Sequence, residues 1–120
     1  MMKKILIVDD SAMIRMQVRR TLQEAGFRTR EAVDGLDAFE KLSAESVDLI
    51  VCDVNMPRMS GLELLERLKE ESTSKAPILM LTTEAQPEMI RLARSLGARG
   101  WLIKPFKPEL LVSAVSKMAA

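Results

Sequence analysis

Short apolar runs and stretches of helical periodicity take turns along the whole chain. Ile5-Leu6-Ile7-Val8 lies in residues 4–8 and ends at Asp9-Asp10; Leu49-Ile50-Val51-Cys52 lies in residues 47–52 and ends at Asp53; residues 77–81 run into Thr82. Runs this short, apolar throughout and bounded by polar residues, predict strands buried on both faces of a parallel sheet. Residues 28–33 are rich in charge and predict a weaker strand at a sheet edge, where charge discourages pairing with other chains. Residues 101–103 make a short fifth strand ending at Lys104-Pro105.

Between the strands the apolar period changes to that of a helix. Ile14, Val18, Leu22 and Ala25 recur on one face, and Gly26 supplies a stop. Asp34 caps a second helix carrying Ala38, Phe39 and Leu42. Ser60 followed by Glu63 is a capping-box pattern and opens a third helix with Leu62, Leu65 and Leu68 inward. Pro87 suits the first turn of a fourth, with Ile90, Ala93 and Leu96 inward and Gly97 as its stop. Leu111, Ala114, Val115 and Met118 line the last. Five strands alternating with five helices predict a doubly wound α/β domain with right-handed crossovers. No repeat, low-complexity segment or linker interrupts the pattern, and the 120 residues predict one domain, 1–120.

Composition narrows the function. The formal net charge of +1 implies neither a nucleic acid nor a membrane surface as partner. There is no histidine, which removes His as nucleophile, base or ligand, and the single cysteine, Cys52, lies inside an apolar run where packing is its expected role. The nine methionines are expected to fill the core. No apolar stretch is long enough to span a bilayer, and the apolar run after the basic start stops at two aspartates, unlike a signal peptide. A cytoplasmic protein is the expectation.

The candidate chemistry lies at the strand ends. Four of the five strands end in a reactive polar group: Asp9-Asp10, Asp53, Thr82 and Lys104. Open parallel sheets bind ligands beyond the carboxyl ends of their strands. Two carboxylates about 4 Å apart repel by roughly 4 kcal/mol at an effective dielectric near 20. Three together therefore hold a proton or a cation. Hard oxygen donors in small number suit Mg²⁺ beside a phosphate.

In these motifs the chain resembles the receiver domain of bacterial response regulators, the CheY-like family, over essentially its whole length. The resemblance is carried by Ile5-Leu6-Ile7-Val8-Asp9-Asp10-Ser11, Asp53-Val54-Asn55-Met56-Pro57, Ser60-Gly61, Thr82 and Lys104-Pro105, in order and on the right elements. It implies a flavodoxin-like (βα)5 fold with a five-stranded parallel sheet in the order 2-1-3-4-5. It implies that Asp53 accepts a phosphoryl group from a histidine kinase, and that Asp10, Asp53 and the Asn55 carbonyl hold Mg²⁺, with Asp9 acting mainly through a metal-bound water. Lys104 would pair with a phosphoryl oxygen, or bridge to Asp53 in the metal's absence, and its bond to Pro105 is expected to be cis. Thr82 would donate its hydroxyl to the phosphoryl group, and the aromatic residue on strand five, here Trp101, would turn inward with it. Asn55 and Glu84 occupy positions that tune hydrolysis in relatives, and the branched Thr83 stands where the family often has a smaller residue and would shield the phosphoryl group.

The resemblance further implies an output surface on helix four, strand five and helix five, made basic here by Arg91, Arg94, Arg99 and Lys107. A basic face fits an acidic partner helix and equally an ordinary solvated face. Arg15, Arg19 and Arg20 lie on helix one, near which relatives meet their kinase. The expected partners are a histidine kinase, a protein target such as a flagellar motor switch or another chemosensory protein, and a phosphatase. The chain ends directly after helix five, which suggests a stand-alone regulator; a receiver cut from a larger regulator or hybrid kinase has the same sequence features. A dedicated haloacid dehalogenase-like hydrolase would carry Asp two residues after its nucleophile, where this chain has Asn55. A flavodoxin-type flavin module would need a phosphate loop after strand one, where Asp9 and Asp10 would repel the phosphate. The protein is thus expected to be a switch rather than an enzyme.

Overall fold

A computed structural model describes residues 2–120. Its elements follow the order β1 (Lys4–Val8), α1 (Ala12–Glu24), β2 (Arg28–Ala32), α2 (Gly35–Ala44), β3 (Leu49–Cys52), α3 (Gly61–Glu71), β4 (Ile78–Thr82), α4 (Pro87–Ser95), β5 (Ala98–Ile103) and α5 (Pro108–Met118). The strands form one sheet in the order β2-β1-β3-β4-β5 with every neighbouring pair parallel, as expected. The charged β2 takes one edge.

Alternation along each strand divides the core in two, because successive side chains leave a strand on opposite faces. Leu6, Val8, Ile50, Cys52, Ile78 and Met80 join Ala38 and Leu42 of α2, Leu64, Leu65 and Leu68 of α3, and Ala93 of α4. Ile5, Ile7, Leu49, Val51, Leu79 and Leu81 join Val18 and Leu22 of α1 with Leu111 and Val115 of α5. The central strands are thus covered on both sides, and their carboxyl ends all open on one edge of the sandwich.

Several boundaries differ from the sequence pattern. Val33 lies beyond β2 and is exposed, and Val47 lies before β3, half-buried. Ala25 is the exposed C-cap of α1 rather than part of its inward face; Phe27 packs on that core from the next turn. β5 begins three residues earlier than expected, at Ala98. Arg99 and Gly100 hide that start, because the register slips between the pairs Ile78–Ala98 and Leu79–Gly100 and leaves Arg99 without an opposite residue. A side chain at position 100 would meet Leu79, with a Cβ at 2.8 Å, so glycine allows the approach that sets Trp101 opposite Met80. The methionines only partly fill the core: Met80 is fully buried, whereas Met13 is 65% and Met16 39% exposed on α1.

Candidate functional site

Each residue of the site is delivered by an element whose ending the sequence specifies. β1 ends at Val8, and Asp9 follows with its carboxylate Oδ1 accepting from the Ser11 amide at 2.9 Å. Ser11 in turn caps α1, its hydroxyl accepting from the Ile14 amide at 3.2 Å. β3 delivers Asp53, whose own amide donates to the Val8 carbonyl at 3.0 Å and whose Oδ1 accepts from the Val54 amide at 2.7 Å. Gly61, opening α3, closes the intervening loop by donating to the Val54 carbonyl at 2.8 Å. A Cβ there would fall 2.0 Å from the Asp53 carbonyl oxygen, so only glycine lets α3 start this close beneath Asp53.

Lys104 joins the two buried carboxylates. Its ammonium donates to Asp9 Oδ2 at 2.7 Å and to Asp53 Oδ2 at 3.0 Å. The three side chains are almost enclosed, at 12%, 4% and 10% exposure for Lys104, Asp9 and Asp53. The Lys104–Pro105 bond is cis, as expected. Burial pushes the Asp9 carboxyl above its ordinary value, against the opposing pull of Lys104. Burial alone would push the Lys104 ammonium down, but its bonds to Asp9 and Asp53 hold it above its ordinary value.

Asp10 completes the acidic group and differs from its neighbours in being exposed. One carboxylate oxygen from each of Asp9, Asp10 and Asp53 lies within 4.8 Å of the others. Three hard oxygen donors, of which one faces solvent, fit a divalent cation of the Mg²⁺ type. Thr82, completely buried at the end of β4, stands on the neighbouring strand.

The sequence model described as "Response regulator receiver domain" matches residues 5–116. The chain belongs to the response regulator receiver family. Among its relatives, a chemotaxis protein CheY-3 of Vibrio cholerae is 40% identical over 117 residues, spanning 96% of this chain and 90% of that protein. A chemotaxis protein CheY of Pseudomonas aeruginosa is 38% identical, spanning 96% and 94% of the two chains. The crystal structure of Vibrio cholerae chemotaxis protein CheY4 superimposes with a TM-score of 0.92 at 44% identity, covering 98% of this receiver and 99% of that chain.

The remaining residues of the receiver site converge on Glu84. Its amide donates to Thr82 Oγ1 at 3.2 Å, its carbonyl accepts from the Trp101 indole N–H at 2.8 Å, and its carboxylate accepts from Asn55 Nδ2 at 3.0 Å. Trp101 is half-buried against the core that faces α2, α3 and α4. Thr83 is exposed beside this network and no side-chain hydrogen bond involves it among the described residues. The sequence motifs brought Asn55 and Glu84 to notice as separate positions; that they bond to each other across the loops is visible only in three dimensions.

Sequence reasoning passed over the pairing of Arg58 with Asp34. Arg58, in the loop after Asp53, donates from Nε to Asp34 Oδ2 at 2.6 Å and from Nη2 to Asp34 Oδ1 at 3.1 Å. Asp34 also fills the cap role its sequence position predicts, accepting from the Asp37 amide at 2.9 Å. The one sequence signal was a non-glycine residue inside the tight turn between Pro57 and Ser60. Cys52 is buried, its thiol donating to the Asp53 carbonyl at 3.2 Å, and burial followed by the nearby Asp53 and Asp9 pushes its ionisation far up. It is an inert packing residue.

Proposed function

We propose that this protein is a phosphorylation-controlled switch of the chemotaxis type, taking a phosphoryl group on Asp53 from a histidine kinase and passing the signal by binding. The observation that carries this reading is the buried Asp9–Lys104–Asp53 arrangement with Thr82 on the adjoining strand end. Lys104 Nζ touches the Asp53 oxygen Oδ2, while Oδ1 is held by the Val54 amide. A carboxylate held this way attacks phosphorus in line; the new bond joins a carboxylate oxygen to phosphorus as the bond from phosphorus to the donor breaks and its electron pair leaves with the donor. Asp10, Asp53 and the Asn55 carbonyl would hold Mg²⁺, with Asp9 acting through bound water; the metal would neutralise the gathered negative charge. Lys104 then exchanges a carboxylate partner for a phosphoryl oxygen, as a compact point charge can.

The output reading rests on Thr82, Glu84 and Trp101. A hydroxyl has one proton and two lone pairs, so Thr82 can donate to a phosphoryl oxygen while still accepting from the Glu84 amide. Drawing Thr82 inward draws Glu84, and with it the carbonyl to which Trp101 is bonded. A single added charge would thereby bias the α4–β5–α5 face between two states. On that face Arg91, Arg94, Arg99 and Lys107 are exposed and form no ion pair among the described residues. Leu92, Ile103 and Leu110 are also exposed there, at 49%, 44% and 52%. Free cations around apolar side chains favour a partner segment that is acidic and amphipathic, such as a chemosensory or motor protein would supply. Asn55 and Glu84, bonded to each other, and the neighbouring Thr83 would set phosphate lifetime, with a phosphatase as a further partner. The protein acts in this reading as a cytoplasmic switch, not as a dedicated hydrolase.

The test is direct. With Mg²⁺ and acetyl phosphate, one phosphoryl group per chain is expected together with a change in Trp101 fluorescence, and Asp53→Asn should take up none. Stoichiometric labelling of Asp53→Asn would remove Asp53 from the acceptor role.

A further inference from the structure

The loop that follows Asp53 is bracketed rather than held along its length. Among the described residues, no main-chain hydrogen bond involves Asn55, Met56 or Arg58. The loop is anchored near its start by the bond between Gly61 and the Val54 carbonyl, and near its end by the Gly35 amide, which donates to the Met59 carbonyl at 3.0 Å. At that far end Arg58 has φ of +64°, and the Met59 amide donates across it to the Pro57 carbonyl at 2.7 Å. An i to i+2 bond about a residue of positive φ is the rare, strained form of γ-turn. Glycine is the residue that takes such a φ without penalty. Arginine at this place therefore needs a reason in its side chain, and the side chain forks onto Asp34, which is 3% exposed. The same two-residue step makes a second bond, from Gly35 to Met59, at a separation so small that a Cβ on Gly35 would lie 2.6 Å from the Met59 oxygen.

We propose that Arg58 and Asp34 form a latch that positions the loop after Asp53, and so sets the affinity of the acidic site for Mg²⁺. Resting on the receiver reading, the inference makes these two positioning residues rather than ligands. Mg²⁺ accepts little departure from octahedral geometry. The Asn55 carbonyl lies in the part of the loop that has no main-chain bond of its own, so its place depends on the anchors on either side. The Gly61 anchor belongs to the helix start. The outer anchor is the Arg58 fork together with the Gly35–Met59 bond, and it ties the loop to the first turn of α2, itself capped by the same Asp34.

The turn geometry offers a clean variant. Arg58→Gly relieves the positive φ while removing the fork, so the protein should unfold at a urea concentration close to that of the wild type. Its dissociation constant for Mg²⁺, read by Trp101 fluorescence or calorimetry, should rise about tenfold, the scale seen when an outer partner of a metal site is removed. Arg58→Lys, which keeps the charge but cannot fork, should fall between the two. Asp34→Asn should weaken Mg²⁺ as Arg58→Gly does, and the double variant should lose no more than either alone. Labelling by acetyl phosphate at saturating Mg²⁺ should stay near the wild-type rate in all of them. Arg58→Gly binding Mg²⁺ like the wild type, or losses at Arg58 and Asp34 that add independently, would overturn the latch. A wild-type protein that binds no Mg²⁺ and takes no phosphoryl group would instead overturn the receiver reading beneath it.

Discussion

Replacing Lys104 by methionine should make the protein weaker without Mg²⁺ and more responsive to it. The ammonium sits between two carboxylates that are 4% and 10% exposed. Removing it leaves Asp9 and Asp53 facing each other with oxygens no more than 4.8 Å apart. At that separation and an effective dielectric near 20, unit charges repel by about 3.5 kcal/mol. Breaking a buried pair by deleting one partner costs about 3–5 kcal/mol in general, and the two scales agree. One relief is open to the variant: Asp9, already pushed up by burial, loses the pull of Lys104 and keeps its proton to higher pH. We therefore expect Lys104→Met to lose about 3 kcal/mol of unfolding free energy at neutral pH in EDTA, from urea curves read at Trp101. The deficit should shrink in acid, where Asp9 carries a proton in both proteins. Saturating Mg²⁺ should stabilise the variant more than the wild type, because no ammonium competes for the oxygens and ligand stabilisation grows with affinity. A variant as stable as the wild type in EDTA, or one that gains no more from Mg²⁺, would refute the electrostatic account of the site.

Three further outcomes are expected. Gly61→Ala places a Cβ 2.0 Å from the Asp53 carbonyl oxygen and should cost about 2 kcal/mol or more in urea unfolding while weakening Mg²⁺ binding, since backbone has to give way. The Arg58 guanidinium holds the Asp34 carboxyl below its ordinary value of 3.8. A lowered carboxyl contributes stability that is complete above the ordinary value and lost as pH falls through the lowered one. An acid titration should thus show the gap between wild type and Asp34→Asn closing only below about 3.8. Cys52, buried and with its thiol pushed up, should react with a disulfide reagent only as fast as the protein opens, so that urea below the midpoint accelerates labelling in step with unfolding.

The strands that carry the chemistry were legible because each is an apolar run with a polar stop: Val8 before Asp9, Cys52 before Asp53, Leu81 before Thr82. Three helices were legible through their starts, Asp34, Ser60 and Pro87, and the first and last through their inward faces. What escaped the pattern had no local signature. The start of β5 is disguised by Arg99 and Gly100, whose placement depends on a register slip against β4. Val47 is apolar enough to suggest strand, yet the ladder with β1 begins only at the pair Ile5–Leu49. Lys104 was expected to bridge to Asp53; that it reaches Asp9 as well, and more closely, depends on how three strand ends meet. The role of Glu84 as a junction was the least legible, since two of its three bonds use main-chain atoms that every residue possesses.

Position 84 can diverge in its side chain without touching its main chain. At position 84 the side chain faces Asn55 and the backbone faces Thr82 and Trp101. In the proposed switch, exchange of the side chain for any residue but proline would alter what an attacking water meets and leave both backbone bonds available. In the proposed switch, the duration of the signal and its transmission would therefore be separately heritable at one codon: any substitution but proline would reset the timer, while the lever is made of backbone that those substitutions leave in place.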